Sequence, residues 1–131
     1  MKTEIVYWSV GDSPPNTPPL TAVIGNFDGV HLGHQKLIST AKEFAKNNGT
    51  KLGVITFDPH PRRYFRRNEP GFLLSDIIEK NRILFSHGIE IIVHVSFNDE
   101  LRQLSPEQFV SNVLHPLGVS HLVAGTDFAF G

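Results

Sequence analysis

Short apolar runs alternate with amphipathic stretches along most of the chain. The runs at residues 20–24, 51–57, 89–95 and 120–124 have the apolar character of strands in a buried parallel sheet. Residues 4–10 predict one further short strand. Residues 11–19 hold four prolines, which predicts an extended surface loop after that strand.

Three stretches between these runs have the residue spacing of helices. The first ends at Asn47-Asn48-Gly49 and has apolar residues at Leu37, Ile38, Ala41, Phe44 and Ala45. The second spans residues 75–87 and is stopped by Gly88. The third begins with a capping signal at residues 105–108, with Pro106 at the first helical position, and its expected buried stripe is Phe109, Val110, Val113 and Leu114. Alternating strands and helices predict an α/β fold with a doubly wound parallel sheet.

The loop between the run at 20–24 and the first helix is rich in glycine and histidine. It has the sequence GNFDGVHLGHQ over residues 25–35. Backbone N–H groups at a helix N-terminus lie at the positive end of the helix dipole, and glycine lets the main chain approach an anion closely. His31 and His34 add donors that can carry charge, so the loop predicts a phosphate site. The alternative is that the two histidines only cap a turn.

Two more polar segments follow the runs at 51–57 and 120–124. They have the sequences TFDPHPR over residues 56–62 and GTDFAFG over residues 125–131. A parallel sheet would gather these loops at one edge, with Asp28, Asp58, His60 and Asp127 among them. Each segment also has a purely structural interpretation. Asp28 would belong to an Asp-Gly turn, the prolines of the second segment would form a rigid exit from the strand, and Asp127 would be a turn residue beside core aromatics.

The three motifs, in this order, resemble those of bacterial FAD synthetases, which are His-x-Gly-His nucleotidyltransferases. The resemblance extends from about residue 20 to residue 131. It implies a Rossmann-like sheet of the nucleotidyltransferase type. It also implies that residues 1–131 form the N-terminal portion of an FMN adenylyltransferase domain, the part that precedes riboflavin kinase in the bifunctional enzymes. The implied reaction is adenylyl transfer from ATP to FMN, which gives FAD and pyrophosphate.

The resemblance also implies roles for particular residues. The catalytic residues would be His31 and His34. The ATP-binding residues would be Gly25, Asn26, Phe27, Asp28, Gly29, His31, Gly33 and His34. The flavin side would be formed by Asp58, Pro59, His60, Asp127 and Phe128. Ala129 occupies a place where family members often carry a basic residue.

The implied chemistry brings two anions together. The FMN phosphate is mostly ionised near neutral pH, because its second pKa is about 6, so donors and positive charge matter more than a general base. A protonated histidine beside polyphosphate is expected to have a raised pKa. Mg²⁺ is expected to accompany ATP, although its protein ligands cannot be assigned from sequence. Zinc held by His31, His34 and His60 is a minor alternative.

Composition narrows the class of protein. A chain of 131 residues with 40% hydrophobic content is expected to form one domain. The net charge of −1 does not favour a nucleic-acid partner. The arginines at 62, 63, 66 and 67 are expected to form a solvated surface, and the alternative is that one of them contacts a phosphate. The lack of cysteine, of a signal peptide and of a long apolar segment predicts a cytoplasmic protein that does not enter a membrane.

The chain stops directly after the third motif, so we expect it to be C-terminally truncated relative to the family. A later Ser/Thr- and Arg-containing segment and the riboflavin kinase domain are absent from it. We therefore expect weak ATP binding, little FAD synthesis and some self-association through an uncovered sheet edge. Two alternatives remain: a nucleotide- or flavin-binding fragment without turnover, and a related nucleotidyltransferase that uses another phosphorylated acceptor.

Overall fold

A computed structural model describes residues 3–25, 32–58 and 74–125, with the backbone alone at 32–33, 58 and 74–77. Within these ranges the strands are β1 (Glu4–Trp8), β2 (Leu20–Ile24), β3 (Lys51–Asp58), β4 (Ile91–Ser96) and β5 (Val119–Ala124). The helices are α1 (Leu32–Asn48), α2 (Leu74–Ser86), α3 (Asp99–Arg102) and α4 (Pro106–Phe109), and α4 continues as a π-helical segment, Val110–Leu114.

The strands form one parallel sheet in the order β1-β4-β3-β2-β5. From β2 the chain adds β3 and then β4 on one side, and it returns to place β5 on the other side of β2. The strand order therefore reverses between β2 and β5. In open parallel sheets, ligands bind beyond the carboxyl ends of the strands at such a reversal. The predicted doubly wound α/β fold is confirmed.

Helices cover both faces of the sheet, so the strands are buried from two sides. On one face, α1 and α2 place Ile38, Ala41 and Leu84 against strand residues such as Val54 and Ile92. The opposite face packs against the segment after β4, through Phe109, Val113, Leu114 and Leu117. Continuous apolar runs such as that of β2, in which every residue is buried, are the result of this two-sided burial.

The ends of α1 and α2 match the predicted glycine stop signals. Gly49 and Gly88 have φ values of 67° and 95°, a conformation that favours glycine, and they lie just after α1 and α2. The first strand ends at Trp8, so the predicted extension to Val10 was wrong. The chain turns at that point, because the Asp12 carboxylate and backbone bond back to Ser9.

The buried row after β4 also differs from the predicted stripe. Val110 is 53% exposed, whereas Phe109, Val113 and Leu117 are buried. The π-helical segment, with its bond from the His115 N–H to the Val110 carbonyl, lowers the rotation per residue. Apolar residues four apart therefore align in one row, and Val110 lies beside it. The short helix α3, capped by Asn98, was not predicted.

Replacing Ser105 with alanine should lower the free energy of unfolding by about 1 kcal/mol. Ser105 and Gln108 form a capping box, in which each side chain accepts a hydrogen bond from the backbone N–H of the other residue. Urea unfolding gives the measurement. The matched control is Ser111→Ala, an exposed serine in the segment that continues α4, which should change stability by only a few tenths of a kcal/mol. Equal losses in the two variants would contradict the capping role.

Candidate functional site

The strands that precede the three motifs are neighbours in the sheet. Ile24, the last residue of β2, lies level with Ile55 of β3 and with Ala124, the last residue of β5. Because these pairings are parallel, the segments that follow β2, β3 and β5 leave the sheet at the same edge. Sequence reasoning expected these segments to meet, and the strand order brings their starting points together.

The glycine-rich loop starts from a fixed point. The Gly25 N–H donates to the Ile55 carbonyl at 3.1 Å, which continues the β2–β3 ladder by one residue. Helix α1 then begins at Leu32 and runs for 17 residues. The first turn of α1 has no acidic side chain that would offset the positive end of the helix dipole. The start of this long helix is therefore suited to an anion.

His34 lies in the first turn of α1. Its side chain is half-buried, and its Nδ1 atom is buried. An imidazole in this position can add a donor beside the backbone N–H groups of the first turn. These N–H groups have no acceptor within the helix and point beyond its N-terminal end.

The end of β3 carries a lysine contact that sequence analysis missed. Lys80 of α2 donates from Nζ to Thr56 Oγ1 at 3.2 Å, and Thr56 is fully buried. The available signal was helical spacing, because Lys80 lies one turn before the buried Leu84 on the same helix. Strand β3 ends two residues later at Asp58, which pairs with Ser96 of β4.

Most of the proposed site residues lie outside the described part of the chain. These are Asn26, Phe27, Asp28, Gly29, His31, Pro59, His60, Asp127 and Phe128, together with the arginines of residues 62–67. Gly33 and Asp58 are described by backbone alone, in the first turn of α1 and at the end of β3. The roles of all these residues remain predictions.

Two histidines outside the motifs pack against aromatic rings. His94 of β4 is 2% exposed and stacks on Tyr7 of β1, with ring centroids 5.0 Å apart. His121 of β5 meets the Phe44 ring edge-on, with centroids 4.6 Å apart. Both contacts involve the sheet itself rather than the loops that follow the strands.

Within the described ranges, no group of three or more His, Cys, Asp or Glu residues is placed to hold a metal ion. None of the helices in the described part of the chain has the length and apolar character needed to cross a membrane.

Solved structures include the same fold. A Streptococcus pneumoniae protein, described as a macrolide-efflux protein, superposes with a TM-score of 0.81 over the whole of this chain and 44% of its own. The two sequences are 24% identical. At that identity the likeness shows the fold and nothing of the function.

Curated relatives are more similar in sequence. The Bacillus subtilis bifunctional riboflavin kinase/FMN adenylyltransferase is 44% identical over 109 residues, which cover 82% of this chain and 34% of the relative. The Listeria monocytogenes FAD synthetase is 38% identical over 120 residues, which cover 89% of this chain and 48% of the relative. The chain thus spans about a third to a half of the length of these relatives. The model of the family described as FAD synthetase matches residues 13–131, and the chain therefore belongs to the FAD synthetase family.

Proposed function

We propose that this chain carries the adenylyl-transfer chemistry of its family, from ATP to FMN, with FAD and pyrophosphate as products. The observation that carries the proposal is the reversal of strand order between β2 and β5. The described residues Gly25 and Gly125, from which the glycine-histidine loop and the third motif continue, follow the two strands on either side of this reversal. The relatives named as FMN adenylyltransferases and FAD synthetases support the same reaction.

The reaction needs little covalent help from the protein. An oxygen of the FMN phosphate attacks the α-phosphorus of ATP, a new P–O bond forms, and the bond to the pyrophosphate oxygen breaks with its electron pair. Charge develops on the α-phosphate and on pyrophosphate as this occurs. Donors at the start of α1, with His31 and His34, would hold that charge and keep the two anions in line.

Mg²⁺ would enter this site together with ATP. The ion prefers phosphate oxygens and water and takes few protein ligands, so a dedicated protein cage is not required. The described side chains do not form such a cage.

The acceptor side is assigned to the last residue of β3 and to the segments that follow β3 and β5. Asp58, Pro59, His60, Asp127 and Phe128 would form it, with polar groups for the phosphate or ribityl chain and an aromatic surface for the flavin ring. We further propose that the protein has no nucleic-acid partner, because its net charge of −1 provides no basic surface field. The lack of cysteine fits a cytoplasmic location for the protein.

Replacing Asp127 with alanine should weaken FMN binding more than ATP binding. The physical reason is position, since Asp127 follows β5 and the ATP-type loop follows β2. Titration calorimetry with each ligand measures both affinities. Asp12→Ala is the control, because Asp12 follows β1 at the far side of the sheet. Equal losses for ATP and FMN in Asp127→Ala would count against this division of the site.

The test of the reaction is direct. The chain is incubated with ATP, Mg²⁺ and FMN, and FAD and pyrophosphate are measured together. Formation of both in equal amounts supports the proposal. ATP binding without any FAD would indicate a binding fragment. Pyrophosphate release only with another phosphorylated acceptor would assign the chain to a different substrate.

A further inference from the structure

Lys80 differs from the other described lysines in its surroundings. The side chains of Lys36, Lys42, Lys46 and Lys51 are exposed, whereas Lys80 is half-buried. Removing an ammonium group from water is unfavourable unless nearby groups compensate for it. A lysine retained in such a position therefore calls for an explanation beyond solubility.

The contact with Thr56 locates the ammonium group in the fold. Thr56 follows Ile55, whose carbonyl accepts the N–H of Gly25 at the start of the glycine loop. The Lys80 Nζ atom lies 3.2 Å from Thr56 Oγ1. The positive charge is therefore held beside Thr56, the residue that follows the bonding partner of Gly25 in β3.

The backbone that carries Lys80 is firmly placed. Leu84, one turn further along α2, is fully buried in the core beneath the helix. Lys80 and Leu84 share a face of the helix because they are four residues apart. The anchor at Leu84 and the bond to Thr56 together hold the charge near the carboxyl edge of β3.

We propose that Lys80 is a residue that selects phosphorylated ligands by charge. This proposal rests on the proposed function, in which ATP and FMN meet at the carboxyl edge of β3, β2 and β5. A fixed positive charge near the entry to that edge attracts polyphosphate in proportion to the ligand's negative charge. The charge acts across the site, and the bond to Thr56 keeps it in place.

The test compares ligands that differ only in phosphate number. Dissociation constants for ATP, ADP, AMP and adenosine are measured by calorimetry for the natural protein and for Lys80→Gln. Glutamine removes the charge and retains a donor for Thr56. We expect ATP binding to weaken about tenfold and AMP binding by less, with adenosine binding unchanged. The difference should shrink as salt is raised.

Arg82 provides the matched control on the same helix. Its side chain is 65% exposed and bonds to Glu79, which lowers the pKa of that carboxyl group through the hydrogen bond. Arg82→Gln changes the net charge by the same amount as Lys80→Gln, and it should leave all four affinities within about twofold. Lys80→Arg should restore ATP binding to within about threefold of the natural protein.

Each outcome decides the proposal. Equal losses for adenosine and ATP in Lys80→Gln would show a structural role and overturn it, as would unchanged affinity for all four ligands. If Lys80→Gln does not fold, Lys80→Arg replaces it, and a loss of ATP selectivity in that folded, charged variant overturns the proposal. If the natural protein binds no nucleotide, the proposed function fails, and inorganic triphosphate becomes the probe. Weaker triphosphate binding in Lys80→Gln then supports the charge role, and equal or absent binding overturns it.

Discussion

Replacing His34 with alanine is expected to raise the activation free energy of the reaction by about 2–4 kcal/mol. If the chain does not turn over, the free energy of nucleotide binding is expected to weaken by the same amount. His34 lies in the first turn of α1, where no acidic side chain offsets the positive helix end. Removing its imidazole takes away one donor at the point where phosphate charge would develop. On the affinity scale the loss is roughly 30-fold to 1,000-fold, which calorimetry or an FAD assay resolves easily.

A second histidine variant separates the site from general effects. His115 is exposed and precedes Gly118, whose carbonyl accepts the N–H of Leu20 at the amino edge of the sheet. His115→Ala should therefore leave nucleotide binding unchanged. The melting temperature of His34→Ala should stay close to that of the natural protein. Normal nucleotide affinity and turnover in His34→Ala would remove His34 from the site, and an unfolded variant would indicate that it only supports the helix end.

Replacing Leu84 with alanine is expected to lower the free energy of unfolding by about 2–5 kcal/mol. Leu84 is fully buried between α2 and the sheet, in the cluster that includes Val54 and Ile92. Alanine is the best helix former, so the substitution keeps the helix and removes only the packing. Denaturant unfolding with an unchanged slope would report this loss as a change in midpoint.

The control for this variant lies on the same helix. Ile78 is 59% exposed, so Ile78→Ala should change stability by less than about 0.5 kcal/mol. If the two variants lose similar amounts, α2 is not anchored through Leu84. The position of Lys80, which depends on that anchor, would then need another explanation.

Local patterns predicted much of this fold because they act within one or two turns of chain. The strand at residues 20–24 was predicted with its observed ends, since two-sided burial requires an unbroken apolar run. The Ser105 cap and the stops at Gly49 and Gly88 were also predictable, because each depends only on residues within one turn of the chain. The three motifs could be placed after strands because each directly follows an apolar run in the sequence.

Contacts between distant segments could not be predicted in this way. Nothing near Lys80 in the sequence indicates that Thr56 accepts its hydrogen bond, because the contact depends on how α2 lies over β3. The exposure of Val110 depends on a π-helical segment, and the local spacing of apolar residues does not reveal it. The place of β5 beside β2 is likewise a property of the sheet as a whole.

The pairing of β1 with β4 has a consequence for synthesis on the ribosome. Glu4 pairs with Ile91 and Trp8 with Val95, so β1 is translated before β2 and β3, whereas its partner in the sheet is translated after them. Closing so long a loop is entropically unfavourable, and β1 cannot join the sheet until residues 91–96 have been made. Until then Trp8, which is buried in the folded protein, lacks its packing partners, and β1 is expected to gain protection from hydrogen exchange after β2 and β3, which pair with each other.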